Sequence, residues 1–191
     1  MSILQLINYR DENLTLNDRL SLRSKIVYGL PYGNAPLLDQ IFPYDEVKAA
    51  FETFLNLGAI NQKWDEFSDL FEDNAVYIAD ENTVWYGKEA IKVNLKNQLK
   101  KVPKMKFDRV DWYDIYQNRV TFYIWNEITS KSGKIYRIPN ISIIYYAGNG
   151  KWKFEEDFYD KLTFMKRILL YGFDDLINGG EALWTLIKNS I

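Results

Sequence analysis

The chain contains neither cysteine nor histidine. The first absence removes disulfides, thiolate nucleophiles and thiolate metal ligands, and it leaves the redox compartment open. The second removes imidazole as general base, as triad member and as metal ligand. Acid–base chemistry is left to Asp, Glu, Tyr and Lys. An excess of one charge is missing too. The 24 basic and 26 acidic side chains give a net charge of −2, which recruits neither nucleic acid nor an anionic membrane. No apolar run approaches the ~18 residues of a membrane span. Residues 1–13 lack the basic leader and small-residue cleavage site of a signal peptide. A soluble, cytoplasmic protein is expected.

What is present is apolar and aromatic. Of 191 residues, 47% are hydrophobic and 16% carry aromatic rings, enough for one domain with a real core and a ring-lined interior. The chain is organised around residues 141–160, ISIIYYAGNGKWKFEEDFYD. Two β-branched and aromatic runs flank Gly148-Asn149-Gly150, a hairpin signal because these residues tolerate positive φ. The outgoing strand then places Glu155, Glu156 and Asp157 among Trp152, Phe154, Phe158 and Tyr159. Carboxylates in a strand that should be buried mark the expected site.

The remaining pattern is α+β. Residues 1–43 read as an arm packed on the domain, with a short helix around Leu14–Leu22 and turn chemistry over 28–36. A helix follows Pro43, capped by Asp45, with Val47, Phe51, Phe54 and Leu55 on one face and Gly58 at its end. A second helix starts near Asn61 and carries Trp64, Phe67 and Phe71. Strands over 75–79 and 83–86 precede a third helix from Lys88 to about Lys101, with Ala90, Ile91, Leu95 and Leu99 facing inward. Strands over 105–116, 119–130, 135–147 and 151–159, joined by short turns, form an antiparallel meander. Residues 161–191 read as a helical extension, with stripes at Leu162, Met165, Ile168 and Leu169 and at Leu183, Leu186 and Ile187.

The order of helix, Trp64-Asp65 helix, DNAVY at 73–77, YGKEAI at 86–91, meander, and GKW running into FYD at 158–160 resembles the nuclear-transport-factor-2-like superfamily. Within it the chain is most similar to the SnoaL-like, polyketide-cyclase-like branch, over roughly residues 45–160. The resemblance implies a curved antiparallel sheet wrapped around the N-terminal helices into a cone, with a mostly apolar pocket inside. Members include cyclases, isomerases, dehydratases, epoxide hydrolases and plain binding or dimerisation modules, so fold alone does not choose the chemistry.

Strand alternation sends Glu155, Asp157 and Tyr159 to one face, and Trp152, Phe154, Glu156 and Phe158 to the other. The resemblance places an inward acid three positions before Asp160, which is Asp157. Carboxylates at i and i+2 lie roughly 7 Å apart, and desolvation of both would raise one pKa. Glu127, beside Tyr123 and Trp125 on the neighbouring strand, is a second candidate acid. Tyr77 matches a water-holding tyrosine of the epoxide-hydrolase branch. The Asn expected two residues later is Ala79, however, and an expected Arg is replaced near Trp125, which argues against epoxide opening.

The candidate catalytic set is therefore Asp157, Glu127, Tyr77 and Glu155, with Trp64, Trp85, Tyr86, Tyr123, Trp125 and Tyr159 as pocket walls. Each has a structural alternative: solvated strand-end acids, or rings that are simply core. The expected chemistry is free of cofactor and metal, acting on a small apolar or carbonyl-containing molecule with a carboxylate base. The alternative is a non-catalytic binding or dimerisation module. Lys88, Lys92, Lys96 and Lys100 draw a basic stripe at i+4 spacing, read as a solvated helix face in preference to an anion surface. The apolar outer side of the last strand needs a cover, from the termini or from a second copy in a homodimer.

Overall fold

The computed structural model describes residues 40–177 apart from 81–82 and 102–104. The readings at Leu14–Leu22, at 28–36 and at Leu183, Leu186 and Ile187 lie outside the described residues. The described elements run in the order α1 (Tyr44–Leu55), a π-helical turn (Asn56–Ile60), α2 (Trp64–Ser68), β1 (Phe71–Asp80), β2 (Thr83–Tyr86), α3 (Lys88–Lys101), β3 (Met105–Tyr116), β4 (Arg119–Thr129), β5 (Ile135–Gly148), β6 (Lys151–Tyr159) and α4 (Lys161–Ile177). One six-stranded sheet has the order β2-β1-β6-β5-β4-β3. Its pairs are antiparallel except β1 with β6, which is parallel.

The helices start and stop for reasons that differ in detail from the sequence reading. Pro43 occupies the cap of α1, and no side chain bonds the first amides; Asp45 and Glu46 lie in the first turn, where carboxylates favour the positive end of the helix. Gly58 does not end the helix in a left-handed cap. The chain continues through the π-turn, and a Cβ on Gly58 would stand 2.9 Å from Cε2 of Phe67. Glycine is needed there for close approach. Asn61 closes the π-turn and does not cap α2, which is only Trp64–Ser68.

The concave face of the sheet wraps the helices around an aromatic core. Phe54 contacts the rings of Phe51, Phe67, Phe71, Phe122 and Trp152. Rings meeting edge to face add to the area they bury. Inward residues of β4 alternate strictly, with Val120, Phe122, Ile124, Asn126 and Ile128 buried and the odd-numbered residues between them partly exposed. On β5 the inward row is Tyr136, Ile138, Asn140, Ser142, Ile144 and Tyr146.

Strand β6 breaks the alternation. Tyr145 pairs with Phe154 but Tyr146 pairs with Trp152, so Lys153 is an extra residue on β6. Such a bulge resets the period of two. Trp152 thereby shares the concave face with Glu155 and Asp157, against Phe54 and Tyr146. This corrects the expectation that Trp152 lies on the outer face beside Phe154. Phe154 packs outside with Val76, Ile78 and Tyr145. That outer cluster is buried within a single chain, while Phe158 on the same face is 41% exposed.

Two devices fix the narrow end. The hairpin over Gly148-Asn149-Gly150 has positive φ throughout, and a Cβ on Gly148 would strike the Phe42 ring at 2.6 Å. Asn118 Oδ1 accepts from the Phe42 amide at 2.9 Å, while its Nδ2 donates to the Gln40 carbonyl at 2.7 Å. At the other end α4 lies on the concave face, where Tyr171 is buried with Ile128, Tyr136 and Ile138.

Phe71 is 1% exposed and touches Phe54, Phe67 and Tyr77. Its replacement by Ala is expected to cost about 3–5 kcal/mol of unfolding free energy. Urea denaturation checks this, and a loss below about 1 kcal/mol would contradict the packing described.

Candidate active site

The site grows from the parity that the bulge sets. Glu155 and Asp157 project from β6 into the concavity; Tyr77, on β1, is the in-register partner of Glu155, and Ser142, on β5, that of Asp157. Tyr77 Oη donates to Asp157 Oδ2 at 2.7 Å. Ser142 Oγ donates to Asp157 Oδ1 at 2.5 Å, and Asn140 Nδ2 donates to the same oxygen at 3.1 Å. Asn140 Nδ2 also donates to Ser142 Oγ at 2.8 Å. Behind it, Asn126 Nδ2 donates to Asn140 Oδ1 at 2.7 Å. A buried polar row thus crosses β4, β5 and β6, with its donors directed at Asp157.

The electrostatics follow from burial. Removal from water lifts the Asp157 carboxyl to about 6, against the opposing pull of Ser142 and Tyr77. Glu155 rises well above the usual carboxylate range through the same desolvation and the neighbouring Asp157 charge. Tyr77 is likewise raised, first by burial and then by the two acids, and stays protonated. Glu155 Oε2 is buried without a hydrogen-bond partner.

The pocket above these groups is lined by Phe54, Trp64, Phe67, Leu95, Phe107 and Phe122, among others. Its volume is about 30 Å³, room for only one or two waters. Rings fill most of the cone in this conformation. Trp64 and Phe107, both partly exposed, meet edge to face at 5.1 Å on the helix side of the pocket.

Of the expected site residues, Asp157, Tyr77 and Glu155 come together with Trp64. Trp85 is buried in the core against Tyr77, ring centroids 4.8 Å apart, one layer behind the pocket. Tyr159 shares the concave face but packs toward α4, where its ring meets Phe164. Others lie elsewhere. Tyr86 is 47% exposed on β2. Glu127, Tyr123 and Trp125 sit on the outer face because β4 alternates without interruption. There Glu127 pairs with Arg137 at 3.2 Å, Tyr123 stacks on Trp112, and Trp125 Nε1 donates to Asp111. These four are not pocket residues.

Sequence reasoning missed Asn126, Asn140 and Ser142. Their signal was polarity at inward positions of otherwise apolar strand faces. Three lysines of the stripe are paired in place: Lys88 with Asp73 at 2.7 Å, and Lys92 and Lys96 with Asp65 at 3.1 and 2.5 Å. They brace α3 to α2 and β1, a solvated and paired face.

No protein-family profile matches the chain, and no curated protein matches it in sequence. Solved structures do match in fold. A Shewanella putrefaciens protein described as a SnoaL-like polyketide cyclase aligns with TM-score 0.57 at 12% identity, over 68% of this chain and 88% of that one. An epoxide hydrolase of the LEH-like type from Mycobacterium tuberculosis aligns with TM-score 0.56 at 15% identity, over 70% and 96%. An NTF2-like protein from Anabaena variabilis aligns with TM-score 0.50 at 16% identity, over 64% and 96%. The fold is therefore the NTF2-like cone of α+β class.

Because Asp157 titrates higher in the fold than the ordinary value of 3.8, the folded state holds more protons than the unfolded chain between that value and about 6. Stability should fall as pH rises through this window, and Asp157→Asn should flatten the slope. Thermal melts from pH 4 to 7 measure it; a wild-type slope equal to that of the variant would contradict the burial of a titrating Asp157. Removing one stabilising donor, Ser142→Ala, should move the Asp157 carboxyl titration, followed by carbon-13 NMR, to higher pH.

Proposed function

We propose that the pocket binds a small, mostly apolar molecule and that Asp157 acts as a base, removing a proton from carbon beside a carbonyl. The outcome would be cyclisation, isomerisation or dehydration without a cofactor. The observation that carries this reading is the arrangement around Asp157. Oδ1 accepts two hydrogen bonds and Oδ2 accepts one. A carboxylate offers roughly four lone-pair sites, so one position on Oδ2 is left for an incoming proton. A carboxyl near 6 is largely ionised at neutral pH yet more basic than a solvated aspartate, the compromise that general-base catalysis favours.

The fold likeness to a protein described as a polyketide cyclase agrees with this chemistry. Epoxide opening is the weaker choice, since the inward position two residues after Tyr77 is Ala79, where that branch carries an Asn. A non-catalytic binding module is the second reading, since the same apolar, ring-lined pocket can hold a molecule without turning it over. A ligand larger than a few atoms enters only when rings such as Trp64 and Phe107 rotate away.

Deuterium wash-in tests the two against each other. Cyclopentanone in heavy water, followed by proton NMR, should exchange its α-protons in the presence of the protein, at a rate that rises through about pH 6. Asp157→Asn should lower the rate by about 10²-fold or more while keeping its fold. Exchange no faster than with that variant would leave only binding.

A further inference from the structure

Among the polar side chains lining the pocket, Glu155 is the one with a buried atom that no protein group serves. It is 4% exposed, and its Oε2 has no partner. The other polar groups are committed. The single hydroxyl proton of Tyr77 goes to Asp157 Oδ2. Ser142 donates to Asp157 Oδ1, and the Asn140 amide is shared between Asp157 and Ser142. Asn140 Oδ1 is filled by Asn126. Glu127 is outside the cone and tied to Arg137. A buried polar atom without a partner, on a residue that lines a pocket, costs free energy until something enters to meet it.

The hydrogen bonds also decide which acid of the pair carries the charge. Two buried carboxylates this close do not both ionise. Tyr77 favours the charged form of both acids, but Asp157 also accepts from Ser142 and Asn140 while Glu155 Oε2 has no partner, so the charge settles on Asp157 and the proton on Glu155.

We propose that Glu155 binds the ligand as a carboxylic acid, donating a hydrogen bond from Oε2 to the carbonyl oxygen of an uncharged molecule whose acidic C–H bond faces Asp157. This rests on the base role given above to Asp157. In the step that follows, the C–H bond breaks and its proton forms a bond to Oδ2. The electron pair moves into a carbon–carbon double bond, and the carbonyl oxygen becomes an enolate. Negative charge thus leaves Asp157 and arrives beside Glu155, whose hydrogen bond strengthens as the charge develops. A ligand that brings its own carboxylate meets Asp157 in an apolar pocket and is rejected. The substrate class is therefore neutral ketones, aldehydes and esters with an acidic α-carbon.

The test uses cyclopentanone labelled with carbon-13 at the carbonyl, with cyclopentanecarboxylate as the charged counterpart. In the wild type the bound ketone's carbonyl stretch should move to lower frequency, and the carboxylate should not bind at pH 7. Glu155→Gln keeps a donor and should hold affinity within about threefold. Glu155→Met keeps the length without a donor and should weaken binding by about tenfold and abolish the shift. A ketone that does not bind, a carbonyl band unmoved in wild type, or a band that still moves in Glu155→Met overturns the proposal. Should Glu155→Met not fold, the protein's own neutral-carboxyl band at pH 7 decides: it must be present in wild type and missing in Glu155→Gln. The failures are separable. Loss of α-proton exchange with the ketone shift intact removes the base role of Asp157 alone; exchange that persists with no dependence on Glu155 removes the donor alone.

Discussion

Two carboxylates two residues apart on one strand, both turned into an apolar cone, are the constraint to which the rest of the interior answers. Burial of a charge costs several kcal/mol unless it is met by hydrogen bonds or relieved by protonation. The chain does both. Asp157 is met by Tyr77 from one neighbouring strand and by Ser142 and Asn140 from the other. Glu155 is relieved by holding its proton. The bulge at Lys153 makes this possible, because it places Trp152 inward on the helix side while keeping Glu155 and Asp157 inward beyond it.

Much of the fold was legible because its elements obey local rules. Turn residues at Gln117-Asn118, Ser132-Gly133 and Gly148-Asn149-Gly150 delimit the meander, and Gly87 and Lys88 open α3 where the spacing of Ile91 and Leu95 requires. What failed were inferences that depend on strand parity. Glu127 was attractive because it neighbours aromatic residues, yet that company is the outer face, where Arg137 on β5 stands directly opposite. A period-two count anchored on Phe122 and Ile124 would have turned Asn126 inward and Glu127 outward. The bulge in β6 was not legible, since Lys153 resembles any other strand lysine and only the pairing with β5 reveals the extra residue.

The candidate site was half legible. Asp157, Glu155 and Tyr77 share chemistry that draws the eye, and they converge. Asn126, Asn140 and Ser142 carry no such label; they matter because they are polar where their strand neighbours Ile124, Ile138 and Ile144 are not. The lysines of α3 show the reverse case. Their regular spacing suggests a surface for anions, but Asp65 and Asp73 come from elements distant in sequence and close the pairs.

The polar row from Asn126 to Asp157 also works as a partition. On one side lie the rings gathered around Phe54; on the other, Ile128, Tyr136 and Ile138 beneath Tyr171 of α4. Apolar contact does not run continuously through a strip of amides and a carboxylate, so the interior is two bodies and not one. The helix is held to the smaller body by the contacts of Tyr171 and by Ser132 Oγ, which donates to Asp174 Oδ2 at 2.5 Å. The boundary between the two bodies is thus directional: amide and carboxylate geometry, and not apolar contact, sets how β4, β5 and β6 meet there.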